Sequence, residues 1–248
     1  MSPDTWFLDA GIAAAFLGAV LGMLVPALIA RIPEPEPEPE LPADEEGGDA
    51  APESEVKERY DAIAGLRGLR WKCSLATAVV SGLLAARVGW GPELSFLLYL
   101  APVGVALALV DWRTRLLPTK VIAPSYLIVG VLAAGSAWVV GDWDPLIRSG
   151  FGWLVAGGTF FVLWFVYPKG MGYGDVRLAG VLGIALGWLG WSELLTGVYI
   201  GFLLGGLGGL LLSSLRIVDR KAYPFGPFML VGALVGVLVG PYVAAWYV

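Results

Sequence analysis

Long runs of uncharged apolar residues constrain this chain more than any other feature. A run of about 18 or more such residues is long enough to cross the hydrocarbon core of a bilayer as a helix. Of the 248 residues, 57% are hydrophobic and the mean hydropathy is +0.74, whereas soluble domains are about 45–50% apolar. The sequence therefore predicts an all-α polytopic integral membrane protein.

The apolar runs and their interruptions predict eight transmembrane helices. We place them at 6–30, 74–91, 94–111, 121–140, 150–168, 176–191, 194–215 and 226–247. The first helix is expected to be retained and not cleaved as a signal peptide. No basic residue precedes it, and no small-residue cleavage motif follows it before Arg31.

The distribution of Lys and Arg predicts the orientation of these helices. Because cytoplasmic loops are enriched in basic residues, we place the loop 31–73 in the cytoplasm and let the spans alternate. Fourteen of the 16 basic residues then lie at cytoplasmic ends, and Arg87 and Arg148 lie outside. Both termini are expected on the exterior.

A tract of alternating Pro and Glu divides the chain. Residues 34–55 contain ten acids and no Lys or Arg, so we expect an extended, disordered linker on the cytoplasmic side. This linker carries −10 and the rest of the chain +5, so the linker alone makes the net charge of −5 negative. Residues 56–73 form a basic, amphipathic cytoplasmic segment typical of an interfacial helix. They connect the N-terminal helix at 1–33 to a seven-helix domain at 74–248.

The residue types that are missing exclude several chemistries. The chain has no His and a single Cys, Cys73. Ser-His and Cys-His nucleophile pairs, His-ligated metals and cysteine zinc clusters are therefore excluded. We expect no cofactor and no metal, and any catalysis would depend mainly on carboxylates, Lys, Tyr, Ser or Thr.

Two aspartates differ in setting from the other acids of the hydrophobic region. Asp111 ends the third predicted span in LALVDWRTRLLPTK, and Asp175 begins the sixth in GMGYGDVRLAG. Both then lie at the cytoplasmic edge of the bilayer, where an ionisable residue is costly and indicates function. If they approach closely, one keeps a proton while the other acts as a base, as in aspartic proteases.

The glycines of GMGYGDVRLAG suit such a site. Gly172 and Gly174 can adopt backbone angles closed to other residues and leave room for a substrate strand. The structural alternative is that Asp111 pairs with an arginine of DWRTR and that Asp175 merely caps the sixth helix. The predicted topology leaves both interpretations open.

Three segments together resemble the type IV prepilin peptidases, membrane aspartyl proteases also called leader peptidases. GMGYGDVRLAG is similar to their G-x-G-D signature, DWRTRLLPTK to their first aspartate motif, and YPFGPFMLVGA to a segment that opens the last helix. They occur in the family's order and cover roughly residues 75–248. The resemblance implies catalytic roles for Asp111 and Asp175, with Gly172 and Gly174 in an active-site loop.

The resemblance also implies the substrates and the location. The substrates would be prepilins or pseudopilins with a short basic leader and a hydrophobic N-terminal helix, cut at the cytoplasmic boundary of a bacterial inner membrane. No nucleic-acid partner is implied. For Phe225, Gly226 and Pro227 in the third segment, we favour a structural or substrate-adjacent role over a chemical one.

The N-terminal part departs from the family pattern. GAVLGMLVPALIARIP, residues 18–33, is similar to the family's first helix. The two C-x-x-C pairs that many bacterial members carry in the following loop are absent. Because that region accompanies N-methylation in bifunctional members, their absence argues against methyltransferase activity.

Two other interpretations remain open. An archaeal preflagellin peptidase or a presenilin-like protease shares the G-x-G-D signature, although PFGPF and the N-terminal helix favour the bacterial form. A transporter or channel would use Asp111 and Asp175 to bind ions. That class predicts acids near mid-membrane and internal repeats, whereas here the acids are expected at the membrane edge.

Overall fold

The computed structural model describes residues 5–34, 58–168, 171–214 and 224–247, and regular structure within these ranges is entirely helical. The helices are α1 (Leu8–Gly22), α2 (Val25–Ala30), α3 (Tyr60–Ala64), α4 (Leu69–Val88), α5 (Leu94–Thr114), α6 (Thr119–Val140), α7 (Asp144–Val166), α8 (Tyr173–Leu189), α9 (Trp191–Ser214) and α10 (Gly226–Tyr247). The all-α prediction is confirmed. The predicted linker at 34–55 lies, apart from its first residue, outside the described residues.

The long helices make this a multi-pass membrane protein. Among the described residues, six segments are long and apolar enough to cross a membrane: Leu8–Ala30, Leu69–Val88, Leu94–Thr114, Thr119–Val140, Asp144–Val166 and Gly226–Trp246. The two other predicted spans coincide with α8, of 17 residues, and α9, of 24 residues. At about 1.5 Å per residue, α8 is roughly 25 Å long. The total of eight spans stays a prediction.

The basic segment before the second span is folded differently from the single interfacial helix that we expected. It divides into the five-residue α3 and the first turn of α4. Gly68 separates the two with a φ of 74°, a left-handed conformation that favours glycine. Helix α4 therefore begins at Leu69, inside the predicted segment 56–73.

Glycine allows α7 and α8 to pack with their backbones in contact. A methyl group added to Gly152 would collide with the carbonyl oxygen of Gly183 and lie 2.9 Å from Cα of Gly187. Small residues promote helix association in membranes in this way, because lipid provides little hydrophobic drive between helices. The contact fixes the position of α8, which carries Asp175 in its first turn.

Arg87 and Arg148, the two arginines predicted on the exterior, donate hydrogen bonds to backbone carbonyl oxygens at one end of the bundle. Nε of Arg148 donates to the carbonyl oxygen of Gly187 at 2.7 Å, and its Nη2 donates to the next two carbonyls. These are acceptors that a helix C-terminus leaves free. Arg87 is 1% exposed and donates from Nη1 to the carbonyl oxygen of Thr5 at 3.2 Å.

Gly152→Ala should weaken the α7–α8 contact, because the added methyl group forces the two backbones apart. We expect a loss of about 1–3 kcal/mol in unfolding free energy, the usual cost of overpacking, measured by thermal unfolding in detergent. Gly150→Ala is the matched control, since Gly150 is exposed on the same helix with nothing within 4 Å of an added methyl group. Equal losses in the two variants would contradict the packing.

Candidate active site

Asp111 is buried in the last turn of α5 and held by the backbone of another helix. It is 4% exposed, and its Oδ2 accepts a hydrogen bond from the N–H of Gly226 at 2.9 Å. Gly226 is the first residue of α10. A helix N-terminus supplies unpaired N–H groups and the positive end of the helix dipole, and both favour an anion. The start of the last helix thus holds an acid 115 residues earlier in the chain.

Asp175 is buried in the first turn of α8, and one of its carboxyl oxygens has no hydrogen-bond donor within the part of the chain that the structure describes. It is 7% exposed, and its Oδ2 accepts a hydrogen bond from the N–H of Gly172 at 3.2 Å. Among the described residues, no group donates to its Oδ1, which is buried. A buried oxygen without a partner costs free energy. This atom is therefore available to bind water or a substrate group.

The structure brings Asp111 and Asp175 together at one end of the bundle. Helix α5 ends there, whereas α8 and α10 begin there, and α10 packs against both of the others. Both carboxyl groups are therefore buried at the same end of the bundle. Two acids there, one of which has an oxygen without a donor among the described residues, can bind a water molecule and exchange protons with it.

The purely structural roles considered for these acids, pairing with an arginine and capping of a helix, account for them only in part. Asp175 does cap α8, but it uses Oδ2 alone, and none of the described residues donates to its Oδ1. Asp111 binds the N–H of Gly226, while Nη1 of the neighbouring Arg113 lies 3.0 Å from Oε2 of Glu58. Capping and ion pairing therefore leave part of the acid pair free for chemistry.

Our expectation for the backbone of Gly172 and Gly174 is wrong. Gly172 is extended, with φ −72° and ψ 143°, and Gly174 lies within α8; other residues adopt both conformations. Position 174 instead requires a residue without a side chain, because an added Cβ would lie 2.7 Å from Cβ of Leu117. Of the two glycines, Gly172 alone belongs to the loop before α8.

The residues of the third segment have three different surroundings. The ring of Phe225 packs against Phe160 and Phe202, with centroids 5.9 Å and 5.7 Å away. Pro227 lines an apolar cavity of about 240 Å³ between α4, α5, α8 and α10. Gly226 has the direct role that sequence reasoning missed, as the donor to Asp111. The available signal was a glycine at a helix start, where a backbone N–H is unpaired.

Comparison with known proteins relates this site to a protease family. The model of the type IV leader peptidase family matches residues 97–240, a range that includes both aspartates and Gly226. No solved structure shows a significant match.

Three relatives are named prepilin leader peptidase/N-methyltransferase. The protein from Pseudomonas aeruginosa is 30% identical over 175 residues, which is 70% of this chain and 59% of the relative. The one from Aeromonas salmonicida is 33% identical over 184 residues, with the same shares covered. The one from Pseudomonas putida is 33% identical over 172 residues, covering 66% of this chain and 56% of the relative. The chain thus spans a little under three-fifths of the length of these curated relatives.

Gly226→Ala should displace the carboxyl group of Asp111, because the added methyl group would lie 2.8 Å from Oδ2. We expect a water-soluble carbodiimide with an amine nucleophile to label Asp111 at least twofold faster in the variant, as measured by peptide mass spectrometry. Gly135→Ala is the control, because nothing lies within 4 Å of a methyl group added there. Unchanged labelling in Gly226→Ala would contradict the hydrogen bond.

Proposed function

This chain belongs to the type IV leader peptidase family, and on that premise we propose that it is an aspartic endopeptidase that removes the basic leaders of prepilins or pseudopilins. One observation supports this most. Two buried acids, Asp111 and Asp175, meet at one end of the bundle, and one carboxylate oxygen there has no donor among the described residues. The chain provides neither a His nor a Cys pair for another hydrolytic mechanism.

The reaction proceeds by activation of water between the two acids. The ionised acid takes a proton from the water as its oxygen attacks the peptide carbonyl carbon, while the neutral acid donates a proton to the carbonyl oxygen. The tetrahedral intermediate then collapses: the acid that took the water proton gives it to the leaving nitrogen, the other acid takes a proton from a hydroxyl of the intermediate, and the C–N bond breaks. Oδ1 of Asp175, which has no donor among the described residues, is the atom best placed to contact the water or the carbonyl.

We place the site at the cytoplasmic face of a bacterial inner membrane. The described basic residues support this orientation, because several lie at the same end of the bundle as the aspartates, among them Arg113, Lys120 and Arg177. Basic residues concentrate on the cytoplasmic side of membrane proteins. A leader that is synthesised in the cytoplasm would reach the two acids there.

Asp111→Asn and Asp175→Asn should each lower cleavage of a co-expressed prepilin at least about 100-fold, because an amide cannot take or give the required proton. Leader removal is followed by gel shift, and the amount of enzyme in the membrane is measured in parallel. Asp142→Asn is the control, since Asp142 is exposed at the opposite end of the bundle. Normal processing by either active-site variant would reject the acid pair.

The second activity in the relatives' names is not part of this proposal. Those proteins are named as N-methyltransferases as well, and this chain has the single cysteine Cys73 and no C-x-x-C pair. We expect mass spectrometry of a cleaved prepilin to find an unmodified new N-terminal amino group. A mass increase of one methyl group that depends on this chain would show that it has both activities.

A further inference from the structure

We propose that Leu117 is a positioning residue that sets the separation of the two aspartates. Its effect on catalysis rests on the proposed function, whereas its geometric role rests on contacts in the structure alone. Leu117 lies in the turn between α5 and α6 and is half-buried. Its side chain is packed against the hydrophobic core.

Leu117 lies between the starts of two helices. A methyl group built on Gly174 at the start of α8 would lie 2.7 Å from Cβ of Leu117. One built on Gly226 at the start of α10 would lie 3.4 Å from its Cδ1. Leu117 therefore packs against two glycines, Gly174 and Gly226, which have no side chain of their own.

The same two helix starts hold the acids. Gly226 donates to Asp111, and Gly174 immediately precedes Asp175. Because protein interiors are closely packed, α8 and α10 cannot approach each other here without displacing Leu117. The separation of the acids in turn decides whether a water molecule fits between them, and a misplacement of about 1 Å can lower a rate about 100-fold.

The turn is fixed at its first end by Thr114. The hydroxyl of Thr114 donates to the carbonyl oxygen of Val110 at 2.8 Å and accepts from the N–H of Leu116 at 3.3 Å. The next residue, Arg115, has a φ of 56°. A non-glycine residue persists in this conformation where the surrounding structure enforces it.

The turn is fixed at its other end by α8. Nη1 of Arg177 donates to the hydroxyl of Thr119, the first residue of α6. Arg177 lies two residues after Asp175, so the helix that carries one acid also holds the turn that carries Leu117. With both ends held, the size of the leucine side chain determines how closely the two helix starts approach.

The first test measures kcat and KM of the full chain in detergent on a prepilin substrate. We expect Leu117→Ala to lower kcat at least tenfold with KM within twofold, because the acids move while substrate contacts elsewhere stay. Leu117→Met, which keeps the volume, should retain at least half of kcat. Leu116→Ala is the matched control in the same turn and should stay within twofold of the wild type. Unchanged kcat in Leu117→Ala, or an equal loss in Leu116→Ala, would overturn the proposal.

The second test measures the geometry without any cleavage. Nitroxide labels are attached to cysteines at Trp112 and Tyr173, which are 46% and 42% exposed beside the two acids, with Cys73 replaced by Ala. Electron spin resonance then compares the distance between the labels with Leu, Met or Ala at position 117. We expect a shorter distance with Ala alone, and the same distance in all three would overturn the spacer role. If the wild type cleaves no prepilin, the proposed function fails while this distance still tests Leu117.

Discussion

The structure depends on keeping two carboxyl groups buried at the end of an apolar bundle. Burial of a charge costs several kcal/mol unless the protein supplies hydrogen-bond donors. Here the donors are backbone N–H groups at helix starts, from Gly226 to Asp111 and from Gly172 to Asp175. Such donors are fixed in place and need no side chain to be ordered. The site therefore requires that two helices begin where a third one ends.

Close helix packing produces that arrangement. In a membrane the interior of the bundle and the lipid are both apolar, so helices associate through tight contact and not through a hydrophobic drive. Glycines bring α7 against α8 and α9 against α10. In the second pair, a methyl group on Gly232 would lie 2.5 Å from the Cα of Gly201. These glycine contacts thus help to fix the helix starts that hold the acids.

The N-terminal region also supports the site, although the chain has no C-x-x-C pair. Tyr60 and Ile63 of α3 are buried against α2 and α5, and the N–H of Tyr60 donates to Oε1 of Glu34 at 2.7 Å. Burial, together with the nearby Glu34 carboxylate, raises the pKa of the Tyr60 hydroxyl. Tyr60 therefore stays neutral where α3 packs against α5, the helix that carries Asp111.

The sequence by itself determined the membrane class and the placement of both acids at one end of the bundle. Apolar run length and the alternation of spans decide these features, and both can be read along the chain. It did not predict the extended backbone of Gly172, the helical one of Gly174, or the role of Gly226. Only the tertiary structure decided that the Gly226 N–H binds Asp111 and that Leu117 lies between α8 and α10. Such contacts join residues far apart in the chain, and they arise from the packing of helix backbones, which no local pattern of residues encodes.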